Sequence, residues 1–194
     1  MILVVRHGRT VSNAQGLFLG RADPPLDEVG EAQAAALGRA IGPVDQVISS
    51  PLLRARQTAA AIAEPTAVPV TLDARFIELD YGEWDQQPLS TVDPEAWAHW
   101  QSNLDFAPPG GESLLAVGER VRAALNEIAP EVRRRTVVIV THVSPLKAAV
   151  AWSLGVSDDV SWRLFVTPAS ITRIDVSRER PSLVAFNEVG HLSL

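Results

Sequence analysis

Residues 3–13 read LVVRHGRTVSN: an apolar run, Leu3 to Val5, followed without pause by Arg6, His7, Gly8 and Arg9. A run this short and this apolar suits a strand buried on both faces. Strands commonly end at the surface in polar residues and turn glycines, so the ending alone implies no more than a strand edge. Whether it is also a site depends on how the other strands of the chain end.

Residues 46–49, 136–141 and 171–176 read as further strands, with 183–186 as a weaker fifth and 68–72 as another candidate. Between them, residues 28–41 predict a helix opened by Asp27, and residues 51–63 predict another. A third is expected over 114–129, with Leu114, Val117, Val121, Leu125 and Ile128 on one face and Pro130 ending or kinking it. The fourth, 145–154, stops before Gly155. Buried strands alternating with helices predict an α/β fold of three layers, a mostly parallel central sheet between helices. With 194 residues, 46% hydrophobic and 21% charged, one domain spanning 1–194 is expected.

The formal net charge of −6 argues against non-specific nucleic-acid binding, because there is no excess of Lys and Arg to displace phosphate counterions. Any anion site must therefore be a local concentration of positive charge. The chain has no cysteine, which excludes disulfides, thiolate nucleophiles and cysteine-ligated metals. Residues 2–5 are too short for a secretory apolar segment and no run reaches membrane-spanning length, so a cytoplasmic protein without a membrane partner is expected.

Two strand-to-helix junctions share a pattern. Residues 47–54, VISSPLLR, and 140–145, VTHVSP, each read as strand, then a serine suited to an N-cap, then a proline at the first helical position. Three strand ends then carry Arg6 with His7, Arg54, and His142. In parallel sheets ligands gather at the carboxyl ends of strands, where helix N-termini offer free N–H groups. Two arginines and two histidines there describe an anion site, most naturally for phosphate, since the guanidinium fork matches phosphate oxygens. Histidine serves as a neutral nucleophile or a charged donor. Lying between Arg6 and Arg9, His7 is expected to be kept neutral by nearby positive charge. An acid for the leaving oxygen is then needed, and residues 77–88, IELDYGEWDQQP, offer Glu78, Asp80, Glu83 and Asp85. Such a charge run is ordinarily a solvated loop, and spacing does not choose among the four.

RHGRTVSN, GRADPPLDEVGEAQAAALG, SSPLLRARQTA, ELDYGEW, PGGES and VVIVTH together resemble, in order, the blocks of the histidine phosphatase superfamily, the phosphoglycerate mutase-like fold. The resemblance covers roughly residues 2–155. It implies that His7 is the nucleophile that becomes phosphorylated, and that Arg6, Arg54 and His142 hold the phosphoryl oxygens. It further implies Glu78 as general acid and then base, with Glu83 left open as the alternative, and Asn13 and Arg21 as phosphate or substrate contacts. No metal and no cofactor are implied, and the partner is a small phosphorylated metabolite. A homodimer stays open. The leading expectation is a phosphatase of small phosphomonoesters, similar to bacterial acid or α-ribazole phosphatases; a phosphoglycerate-type mutase and a silent phospho-ligand or protein-binding relative are the alternatives.

Three stretches depart from the family pattern. Arg9 stands where Glu or Gln is common, which favours a more acidic substrate or merely faces solvent. Residues 84–88, WDQQP, replace the usual WEG, and Val143-Ser144-Pro145 replaces two glycines, with Lys147 next, either at the surface or on the pocket rim. Residues 79–110 are expected to form a lid or specificity segment. Within it Trp97, Trp100 and Leu104 fall at helical spacing, ordinarily a packing stripe. His191 and residues 133–135 read as solvated, and Gly110-Gly111 as a turn.

Overall fold

The computed structural model describes residues 1–192. The chain runs β1 (Ile2–Arg6), α1 (Val11–Ala14), α2 (Glu28–Ile41), β2 (Gln46–Ser49), α3 (Leu53–Ala63), β3 (Val70–Leu72), α4 (Pro94–Ser102), α5 (Leu114–Glu131), β4 (Val137–Thr141), α6 (Val143–Leu154), β5 (Ile171–Asp175) and β6 (Ser182–Glu188). The sheet order is β3-β2-β4-β1-β5-β6. The first four strands in that order are mutually parallel, and β5 and β6 add antiparallel at one edge. The expected α/β fold with its mostly parallel sheet is therefore present, and the candidate strand at 68–72 is real.

Alternation along the strands makes the layers. Ile2, Val4, Ile48, Val137 and Ile139 face one core with Val121 and Leu125 of α5 and Leu146 of α6. Leu3, Val5, Val47, Val138 and Val140 face the other, with Leu37 of α2 and Ala59 and Ile62 of α3. Each fully buried aliphatic side chain contributes about 1.5–3 kcal/mol. This two-sided burial holds the strand ends in fixed register.

Helix boundaries differ from expectation in three places. α3 starts at Leu53, whose N–H donates to the Asp23 carboxylate at 2.6 Å, while the Ser50 hydroxyl accepts only from the N–H of the cap residue Leu52, at 3.4 Å. α6 starts at Val143, so Pro145 lies in its first turn and His142 takes the cap position. Pro130 lies inside α5, which continues to Glu131. In the last turn proline removes only the one bond to the carbonyl of residue 126, and the helix has a single residue left to run.

Gly8 is required for packing. A Cβ there would sit 2.5 Å from the Gly30 carbonyl oxygen, and one on Gly30 would overlap the backbone of Arg9. The turn after β1 is thus pressed backbone to backbone against α2. His191 is half-buried, its Nε2 3.0 Å from the Ala169 carbonyl, where a solvated side chain was expected.

Candidate active site

Strand register brings the candidate residues together. Arg6 pairs with Thr141, the His7 N–H donates to the Thr141 carbonyl at 3.0 Å, and the Ser50 N–H donates to that of Val140 at 2.9 Å. His7, Ser50 and His142 therefore stand at one level of the sheet's carboxyl edge. The two imidazoles lie 5.0 Å apart between centroids, tilted by 59°.

The environment of His7 assigns its tautomer. Nδ1 is 2.7 Å from the Gly8 carbonyl oxygen, which only accepts, so the proton belongs on Nδ1. Nε2 then carries a lone pair and accepts from the Arg54 Nε–H at 3.2 Å. Burial, then Arg54 and Arg6, hold His7 well below the usual histidine range. The neutral ring expected from sequence is reached with a different neighbour: Arg9 contributes nothing, because its Nε donates to Asp27 Oδ2 at 2.9 Å beside the start of α2.

Arg54 is fully buried, yet among the described residues no carboxylate pairs with it directly. Its guanidinium donates to the carbonyls of Ala22 at 2.8 Å and Gly20 at 2.9 Å. Asp85 clamps the same loop, accepting from the Gly20 and Ala22 N–H groups at 2.8 Å each. Burial lowers Arg54, with Glu78 foremost among the charges opposing it. Arg6 is pushed down to about 10 by burial and donates from Nη1 to the Val166 carbonyl at 2.5 Å. Both arginines still carry charge at neutral pH.

Of the four candidate acids, only Glu78 is buried. Its Oε1 accepts from the N–H groups of Leu79 at 2.8 Å and Ser144 at 3.1 Å, and Oε2 from Val143 at 2.9 Å. The N-terminus of α6, expected to face phosphate, thus faces this carboxylate. Oε2 takes a single N–H and keeps a lone pair free for a proton. Glu83 is exposed, Asp80 caps the following turn, and Asp85 serves the loop described above. His142 is fully buried, its Nε2 2.7 Å from the Ser50 hydroxyl, and is held well below the usual histidine range by burial and by Arg54.

A cavity of about 110 Å³ joins Arg6, His7, Asn13, Glu78, Tyr81 and Val143. Arg21 is not among the residues that line it, and its Nη2 donates to Glu112 at 3.3 Å. Asn13 lines it while its Oδ1 accepts from the Thr10 N–H, leaving the amide NH₂ uncommitted. Residues 2–189 match the histidine phosphatase superfamily (branch 1).

The chain belongs to the histidine phosphatase superfamily.

Among superfamily relatives, it is 32% identical over 199 residues to phosphoserine phosphatase 1 of Hydrogenobacter thermophilus, covering 98% of this chain and 93% of that one. It is 33% identical over 198 residues to bifunctional protein Rv2228c of Mycobacterium tuberculosis, covering 98% of this chain and 54% of that protein. The chain spans about half the length of this and two further mycobacterial relatives. Among solved structures, mycobacterial glucosyl-3-phosphoglycerate phosphatase Rv2419c in complex with VO3 superposes with a TM-score of 0.88 at 28% identity, covering 97% and 99% of the two chains. Phosphoserine phosphatase of Entamoeba histolytica, in complex with 3-phosphoglyceric acid, gives 0.90 at 25%, covering 99% and 98%.

On this histidine phosphatase frame, sequence reading missed Ser50, Asp23 and Asp85 as positioning residues. Ser50 read as a helix cap, and the actual cap comes from a loop 30 residues away. Asp85 read as one acid among four. No local signal separates these roles, because each is fixed by a tertiary contact.

Proposed function

We propose that the protein hydrolyses small phosphomonoesters through a phosphohistidine on His7. The observation that carries this reading is the hydrogen bonding of His7: Nδ1 is committed to the Gly8 carbonyl, so the Nε2 lone pair is the nucleophile. In the first step Nε2 forms a bond to phosphorus, the ester P–O bond breaks, and the Glu78 carboxyl gives its proton to the leaving alcohol. In the second, Glu78 takes a proton from water, the water oxygen bonds to phosphorus, and the P–N bond breaks to release inorganic phosphate. Arg6 and Arg54 supply buried positive charge where the phosphoryl oxygens gain negative charge, and His142 adds a donor from the neighbouring strand. Asn13, with its free NH₂ on the cavity wall, contacts a phosphoryl oxygen. Arg21, bound to Glu112, serves the outer rim at most.

Trapping with a radiolabelled phosphomonoester tests the reading. The native protein should form an acid-labile, alkali-stable phosphoenzyme and release phosphate, and His7→Ala should do neither, with turnover down by about 10⁴-fold or more. Retained phosphoenzyme in His7→Ala would refute the assignment. Isomer formation from a phosphoglycerate without phosphate release would instead make the protein a mutase.

A further inference from the structure

The catalytic cavity, at about 110 Å³, is smaller than the roughly 150 Å³ that holds one benzene ring. It has room for a phosphoryl group and little of the alcohol bonded to it. Outward it continues into a groove of about 410 Å³, with which it shares Arg6, Asn13, Leu17 and Phe18. Leu89, Trp97, Phe165 and Pro168 extend the groove wall. Arg6 is the one charged residue on that lining, and its Nη1 is committed to the Val166 carbonyl.

The groove is built by the stretch WDQQP, residues 84–88. The Gln86 N–H donates to the Phe18 carbonyl and the Phe18 N–H to that of Gln87, at 2.9 Å each, and Leu17 bridges Pro88 in antiparallel pairing. This contact fixes Leu17 and Phe18 and places the next residue, Leu89, on the wall with 49% of its surface exposed. Phe165, which follows the turn Asp158–Arg163, is 76% exposed. Its backbone is nonetheless held, because the Val166 carbonyl accepts from Arg6 and the Thr167 N–H donates to Asn187 Oδ1 at 2.8 Å. One exposed apolar side chain is ordinary. Large ones held on fixed backbone around a groove that continues a catalytic cavity mark a ligand site. A polyol there would trade water for a wall whose polar side chains are Arg6, Asn13 and the Trp97 indole.

We infer that this groove binds the alcohol half of the substrate, and that the preferred substrates are phosphomonoesters of uncharged apolar alcohols. The inference rests on the phosphatase reading above. It makes Leu89 and Phe165 specificity-determining residues.

Primary n-alkyl phosphates, used below micelle-forming concentrations, test it, because they lengthen the chain while the leaving oxygen stays the same. From ethyl to hexyl phosphate, kcat/KM should rise by about twofold per methylene, chiefly through KM; full burial would give about fourfold, and the groove is open on one side. Sorbitol 6-phosphate is as long as the hexyl ester but polar, and it should fall well below it, toward the ethyl ester. Phe165→Ser should cut the hexyl-to-ethyl ratio by about threefold or more, and Leu89→Ser decides the matter if Phe165→Ser fails to fold. A flat series, or sorbitol 6-phosphate used as well as hexyl phosphate, would overturn the inference. So would a ratio unmoved by the substitution, the result expected of a chain lodged in the separate space of about 180 Å³ beside Tyr81 and Lys147. Each of these leaves the phosphatase reading intact. Absence of turnover on every ester, 4-nitrophenyl phosphate included, together with absence of phosphoenzyme, would bring down both.

Discussion

Arg54 Nε donates to His7 Nε2 across 3.2 Å, so the lone pair assigned to attack phosphorus is shared with a guanidinium. Attack requires that N–H to move from nitrogen to a phosphoryl oxygen, which keeps the charge beside the reacting atoms while freeing the nucleophile. The remaining donors of Arg54 stay on the Gly20 and Ala22 carbonyls. Arg54→Lys keeps the charge but cannot span both carbonyls and the ligand. We expect kcat/KM to fall by about 10²–10³-fold, as when a preorganised donor is lost, with phosphoenzyme formation rather than its hydrolysis slowed most. Rapid-quench kinetics resolves the two steps.

Glu78→Gln removes the transferable proton and sets an amide NH₂ against a backbone N–H, since the carboxylate now accepts three of them. Alkyl phosphates should lose about 10²–10⁴-fold in turnover, whereas an activated aryl phosphate, which needs little protonation, should lose far less. Steady-state rates on both ester types check this, and an equal loss on both would remove the acid role from Glu78.

Ser50→Ala leaves the buried His142 Nε2 without its partner at 2.7 Å. The expected cost is about 1–3 kcal/mol, read as a fall in Tm of about 2–4 °C per kcal/mol for a domain of this size. Phosphate affinity should weaken as well, because the ring loses the contact that orients it. Calorimetry with and without inorganic phosphate measures both effects.

Ser50 also shows where sequence reading stops. β1 with Arg6 and His7, and β4 with His142, are contiguous patterns, so the sheet and its basic edge were legible. The role of Ser50 was not, because local grammar made it a helix cap while Asp23, from another loop, meets the first N–H of α3, that of Leu53, and the Ser50 hydroxyl sits against His142. Adjacency misled at Arg9, whose side chain leaves the site for Asp27; Arg21, which only the resemblance singled out, is hydrogen-bonded to Glu112. Glu78 was one of four carboxylates until folding laid the start of α6 against it. The stripe of Trp97, Trp100 and Leu104 does pack against the core, as its spacing implied, but Trp162, which meets Trp100 edge to face at 4.9 Å, lies outside the 79–110 segment.

His7 and His142 are both buried and both held well below the ordinary histidine value, so pH should act on stability with a defined sign. Below about pH 6.5, the unperturbed histidine value, the unfolded chain binds protons that the folded chain refuses. Their contribution is full above that pH and is lost as pH falls from there toward the folded values. The slope should approach roughly 2.7 kcal/mol per pH unit for the two rings, and His7→Gln should halve it. Urea unfolding between pH 7.5 and 5.5 provides the measurement; a flat profile would mean that the rings protonate inside the folded protein.

The residues proposed to hold phosphate stand on strand ends, on α1 and on α3, whereas Trp97, Trp100 and Trp162 come from α4 and the turn Asp158–Arg163, neither of which pairs with the sheet. Amino-acid replacements in those two excursions can reshape the room offered to the alcohol without shifting one strand register. On the proposed function, the frame assigned to phosphate would stay fixed while the choice of metabolite is free to drift.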